Sequence, residues 1–142
     1  MDSSFYDGVR TPEARPKYLK DQAYNAPIGG MSFNFNTCTV YVKPGEKVGT
    51  SPLVYTDPEN TYIDVVNQAT TSKPGSNNTL AVNRTEYVKG DLGDTVLLRG
   101  AIPLDHKEVR FYKNIVNPAL YAGHMLKTRS EEHTSELQSL AY

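Results

Sequence analysis

Three histidines, one cysteine and sixteen carboxylates are the residues of this 142-residue sequence with the means to move protons, bind metal or attack a carbonyl. Asp105 and His106 are adjacent and so cannot face each other as an acid–base pair; with Glu108 three positions after Asp105 they read as a capping box opening a helix. His124 has no second His, Cys or carboxylate at the spacing of a zinc site or a catalytic triad, so it reads as a helix-surface histidine. Cys38 sits in the alternating stretch SFNFNTCTVYV, where a thiol is usually a small buried hydrophobe and no base is placed to activate it. The segment GEKVGTS lacks the four-residue gap of a phosphate loop, and Asn77-Asn78-Thr79 and Asn83-Arg84-Thr85 match the glycosylation acceptor pattern without a secretory stretch beside them. The expectation from these residues is a protein that is not an enzyme, with no metal site, no cofactor and no small-molecule substrate.

Basic side chains offer a second chemistry. Arg84, Lys89 and Arg99 fall on or beside two stretches that read as paired strands, and a shared basic patch there would hold nucleic-acid phosphates. The chain carries a net charge of −1, so any such patch is local. Ten tyrosines and four phenylalanines supply rings suited to interfaces as well as to a core. The N-terminal twenty residues contain no apolar signal-like stretch, and no run reaches the ~18 apolar residues of a membrane span. One cysteine cannot form an internal disulfide, and the expected setting is a reducing compartment without membrane attachment.

The elements that position these residues follow from periodicity. Residues 1–30, rich in Pro and mixed charge, read as an extended arm. SFNFNTCTVYV (32–42) alternates, with Asn34, Asn36, Cys38, Val40 and Val42 on one face. Strands follow at 51–56 and 61–66 around the turn Asp57-Pro58-Glu59-Asn60, with Pro52 and Pro58 marking edge or terminal positions. After the polar loop TSKPGSNN, TLAVNRTEYV (79–88) and DTVLLRGAIPL (94–104) read as a hairpin whose second strand is central. Val109, Tyr112 and Val116 recur at helical spacing behind Asp105, predicting a helix that ends at Asn117-Pro118, and PALYAGHML reads as a short second helix. The predicted class is α+β: a β-rich meander or antiparallel sheet of about five to six strands, then one or two C-terminal helices.

Residues 129–139, RSEEHTSELQS, resemble the translation of a sequencing adapter, so 129–142 is expected to be a non-native tail behind one domain at 31–128; the alternative is an amphipathic helix with Ser130 as N-cap. KPGSNNTLAVNRTEYV running into DTVLLRGAIPL, with helices after it, resembles in layout and length the coat proteins of single-stranded RNA bacteriophages. The resemblance implies a virion protein made in the host cytoplasm, a homodimer that assembles into a shell, and an inner sheet face on which Arg84 and Arg99 contact genomic RNA; Lys89, from the basic patch beside them, completes the RNA-contact candidates. The alternatives are a decoration protein of a tailed-phage capsid and a small β-rich binding module.

Overall fold

The computed structural model describes residues 32, 34–85 and 93–140. The arm expected over residues 1–30, Lys89, and most of the link between the two strands of the expected hairpin lie outside them. Among the described residues eight strands precede one helix: β1 (Thr37–Lys43), β2 (Leu53–Asp57), β3 (Ile63–Asn67), β4 (Thr70–Ser72), β5 (Ala81–Thr85), β6 (Asp94–Arg99), β7 (Ala101–Pro103), β8 (Val109–Asn114) and α1 (Pro118–Leu140). The class is α+β, as the sequence predicts. The topology is not a meander: β1 pairs antiparallel with both β2 and the distant β8, and β3 runs parallel to β6, which is antiparallel to β5. A short parallel pair, β4 and β7, continues the β3–β6 line past Gly100.

Period-two burial explains β1. Cys38, Val40 and Val42 point into the core, while Thr37, Thr39 and Tyr41 line the other face, as the alternation predicts. β2 is the outer strand of its sheet, with Pro52 before it and Pro58, in a cis peptide bond with Asp57, after it. Neither proline can donate a ladder hydrogen bond, so both belong at an edge. The expected hairpin is present, with Val82 opposite Leu98 and Arg84 opposite Val96. Its second strand is broken in two where Gly100 adopts φ 97°.

Residues 105–116 are not a helix, which corrects the sequence reading. Asp105 accepts a hydrogen bond from the Gly75 amide at 3.1 Å, so it ties two loops together and caps nothing. Val109–Asn114 forms β8 instead, placing Phe111 opposite Val40 and Val109 opposite Val42. VRFYKN satisfies period 2 as well as 3.6, and its β-branched and aromatic residues gain more from the waiting edge of β1 than from a solvent-facing helical turn.

Among the described residues there is one C-terminal helix, within the expected one or two. Asn117 accepts the Leu120 amide on its side chain at 3.2 Å, and Pro118, with no amide to satisfy, takes the first helical position. Pro118, Tyr121, Ala122 and Met125 are buried at 3.6-residue spacing, and Tyr121 and Met125 join the β1, β3, β6 and Ile115 side chains in one core. Residues 129–135 are exposed on every side. Ser130 is not an N-cap; its hydroxyl donates to the Leu126 carbonyl in mid-helix.

Two outcomes are expected. A Cβ at Gly100 would lie 2.2 Å from the Thr79 carbonyl oxygen, so Gly100→Ala is expected to lower unfolding free energy by about 2–3 kcal/mol in urea titrations. Ending the chain at Thr128 removes helical circular dichroism signal but shifts stability by less than about 0.5 kcal/mol, because residues 129–135 bury nothing.

Candidate functional site

A charged group taken out of water must be compensated, and Asp94, the first residue of β6, is only 3% exposed. Tyr62, one residue before β3, donates its hydroxyl to Asp94 Oδ1 at 3.1 Å, and the Val116 amide donates to Oδ2 at 3.0 Å. The same tyrosine oxygen accepts the Asn117 amide at 3.1 Å, and the Asp94 amide donates to the Tyr62 carbonyl at 3.0 Å. One carboxylate and one phenol thus gather the start of β6, the approach to β3 and the two amides that lead into α1. Arg84 on β5 donates to the Asn114 carbonyl at 3.2 Å and to the Asn114 side-chain oxygen, and its charge acts on Asp94.

Burial raises the pKa of Asp94 above the ordinary carboxylate range, opposed by the Val116 amide, the Arg84 charge and the Tyr62 hydroxyl. Burial also pushes the Tyr62 phenol up, with the Asp94 charge adding to it. The Tyr62 ring meets Tyr121 edge-on at 5.3 Å and His124 edge-on at 5.7 Å. His124 Nδ1 lies 3.0 Å from the Thr61 hydroxyl oxygen. Thr61 to Asp64 and Gly93 to Thr95 line an open cleft of about 240 Å³ beside this cluster. The Asp94 oxygens are taken up by donors within the fold, so the group fixes the root of α1 and is not poised to take a proton from a substrate. The Thr61–His124 contact is a hydroxyl against a base, the pairing from which an activated nucleophile is built.

The outer face of the β2–β1–β8 sheet is the second place where functional groups converge. The register sets Arg110, Tyr41 and Tyr55 in one row, with Tyr112, Thr39 and Asp57 in the next. The Tyr41 and Tyr55 rings stack at 4.8 Å, with Arg110 over the former at 5.3 Å and Lys43 over the latter at 5.9 Å. Glu108 binds this ladder together: it accepts the Tyr55 hydroxyl at 2.5 Å and pairs with Lys43 at 3.4 Å. That hydrogen bond pushes the Tyr55 pKa up to about 12 and holds Glu108 below its usual value.

Of the basic residues singled out in the sequence, Arg84 and Arg99 are turned to different partners, and Lys89 lies outside the described residues. Arg84 is turned to Asn114, while Arg99, exposed at the end of β6, donates to Gln68 at 3.1 Å. Cys38 is buried, as expected, and burial raises its thiol to about 11, too high for a nucleophile. His106 lies in the loop before β8 with Nδ1 2.7 Å from the Lys107 carbonyl. His124, read as incidental, is engaged by Thr61 and Tyr62. Asp94 was missed: in the string KGDLGD it carries turn chemistry, and its partner Tyr62 is 32 residues away. Among the described residues no group of three His, Cys, Asp or Glu is placed to hold a metal, and no helix is long and apolar enough to cross a membrane.

The model of the D-Ala-D-Ala carboxypeptidase 3 (S13) family matches residues 1–138. No curated protein matches the chain significantly. The crystal structure of penicillin-binding protein 4 from Haemophilus influenzae superposes with a TM-score of 0.69 at 9% identity, over 92% of this chain and 28% of that one. The chain therefore spans little more than a quarter of that structure, and the likeness is one of fold. The family match overturns the coat-protein reading, with its virion location, host-cytoplasm synthesis, homodimeric shell and genomic RNA. It equally displaces the decoration protein and the binding module, and replaces a non-enzyme without a small-molecule substrate by a peptidase family. The coat resemblance lay in element order and length, which unrelated α+β folds share.

Replacing Asp94 by Ala leaves the Tyr62 hydroxyl and the Val116 amide without their acceptor and is expected to cost about 3 kcal/mol. The folded-state pKa of Asp94 is raised, so the folded protein holds the proton more strongly and the Asp94 contribution to stability falls as pH rises above about 4. Urea midpoints of wild type and Asp94→Asn across pH 3.5–7 check this: the wild type should lose stability relative to the variant with rising pH, and parallel curves would contradict it.

Proposed function

Because this chain belongs to the D-Ala-D-Ala carboxypeptidase 3 (S13) family, we propose that it is part of a peptidase that releases the terminal D-Ala from cell-wall peptides ending in D-Ala-D-Ala. The observation that carries this reading is the family match over residues 1–138. The shared fold with a penicillin-binding protein supports it.

The division of labour follows from chemistry. Penicillin-binding proteins carry their serine nucleophile in Ser-x-x-Lys, accompanied by Ser-Asp-Asn and Lys-Thr-Gly. None of these three strings occurs in the 142 residues. The acyl-accepting serine is therefore assigned to a part of the protein beyond this sequence, and the chain to a domain that stands beside it. The saturated Asp94 carboxylate and the buried Cys38 thiol fit a domain built for rigidity. Covalent peptide release divides one difficult step into acylation, with departure of D-Ala, and hydrolysis by water.

Release of D-Ala from a synthetic pentapeptide ending in D-Ala-D-Ala, and covalent labelling by penicillin, are expected of the longer polypeptide that contains this chain. The 142 residues alone should do neither. No release by the longer polypeptide would overturn the reading. Release by the 142 residues, abolished in Thr61→Ala, would move the nucleophile to the Thr61–His124 contact.

A further inference from the structure

We infer that the outer face of the β2–β1–β8 sheet is a binding platform for the glycan strand of the cell-wall polymer, an inference that rests on the cell-wall reading above. Tyr112 is 56% exposed, Leu53 60% and Tyr55 45%, and the strand register brings all three to one face. Exposed apolar groups gathered in this way mark interaction surfaces.

Size and charge select the occupant. Strands about 4.8 Å apart, with same-face residues about 6.8 Å apart, make the three-by-three array about 10 by 14 Å between its outermost backbone positions. It presents nine side chains, whereas a stable protein interface recruits about 20–30 residues on each side. That footprint is short for a second copy of the chain and fits an extended oligomer of a few rings. Arg110 and Lys43 are offset on the same face by Glu108 and Asp57. A face with no net charge has no preference for a polyanion such as nucleic acid; it suits a neutral polymer rich in hydroxyl and acetamido groups. The Tyr112 ring and the Leu53 side chain offer apolar surface to the C–H faces of sugars, and Thr39 and the Tyr112 hydroxyl can exchange hydrogen bonds with ring substituents.

The test is a titration of the 142-residue chain with a β-1,4-linked N-acetylglucosamine hexasaccharide, read by tyrosine fluorescence and amide NMR shifts, alongside sedimentation with cell-wall sacculi. The expected result is saturable binding of both probes, with shifts centred on 37–43, 53–57 and 109–114. Tyr112→Ala and Leu53→Ala should each weaken binding at least about fivefold while leaving the melting temperature unchanged, and Tyr112→Phe should retain most of it. Absence of hexasaccharide binding, binding indifferent to Tyr112→Ala and Leu53→Ala, or concentration-dependent dimerisation that perturbs the same strands would each overturn the inference. D-Ala release by the longer polypeptide without glycan binding here removes this inference and leaves the family activity standing. Glycan binding without D-Ala release does the reverse.

Discussion

The burial of one carboxylate organises this fold. Asp94 could not be placed at 3% exposure unless donors arrived from several directions, and those donors come from the Tyr62 side chain and from the backbone just ahead of α1. Their arrival joins the sheet that contains β3, β5 and β6 to the end of β8 and the root of the helix. Hydrophobic packing of Val96, Leu98, Tyr121 and Met125 supplies most of the driving force, but packing alone tolerates small rotations of a helix over a sheet. The hydrogen bonds to Asp94 are directional, and they select one of those rotations.

Much of the β architecture is readable from local pattern. The buried face of β1, the edge position of β2 between two prolines, the β5–β6 hairpin and the inert Cys38 all follow from alternation and turn chemistry. These are properties of a few consecutive residues, and the sequence displays such residues side by side. The parallel pairing of β3 with β6 and the return of β8 to β1 are contacts across tens of residues, and no local period encodes them. Residues 105–116 show the limit of pattern reasoning, because Val109, Tyr112 and Val116 satisfy a helical spacing while the same segment also alternates. The vacant edge of β1 decided the matter. Asp94 was hidden for a related reason, being an acid in a Gly-Asp turn string whose value depends on Tyr62, 32 residues away at the approach to β3.

Function was less legible than fold. The short strings that announce chemistry are absent from these residues, and composition, with its ten tyrosines and near-zero charge, is compatible with many roles. Element order led to a shell protein, whereas the match over residues 1–138 places the chain in the D-Ala-D-Ala carboxypeptidase 3 (S13) family. What the residues do express is architecture: a rigid body with one face saturated internally and another left open with a stacked tyrosine ladder. An enzyme assembled from several such bodies can divide chemistry from substrate handling, and local sequence motifs then report on one body and are silent on the next.

The solvent-exposed stretch of α1 has a mechanical consequence. From Leu126 to residue 135 the helix runs about 15 Å past Met125, its last buried residue among those whose burial is described. A rod clamped at one end converts a sideways push at its tip into a torque at its root, and the root here is Asn117, bonded to Tyr62 and next to the Val116–Asp94 link. Whatever leans on the far end of this helix is felt first at the buried carboxylate, so the bond that sets the helix direction is also the bearing that carries its load.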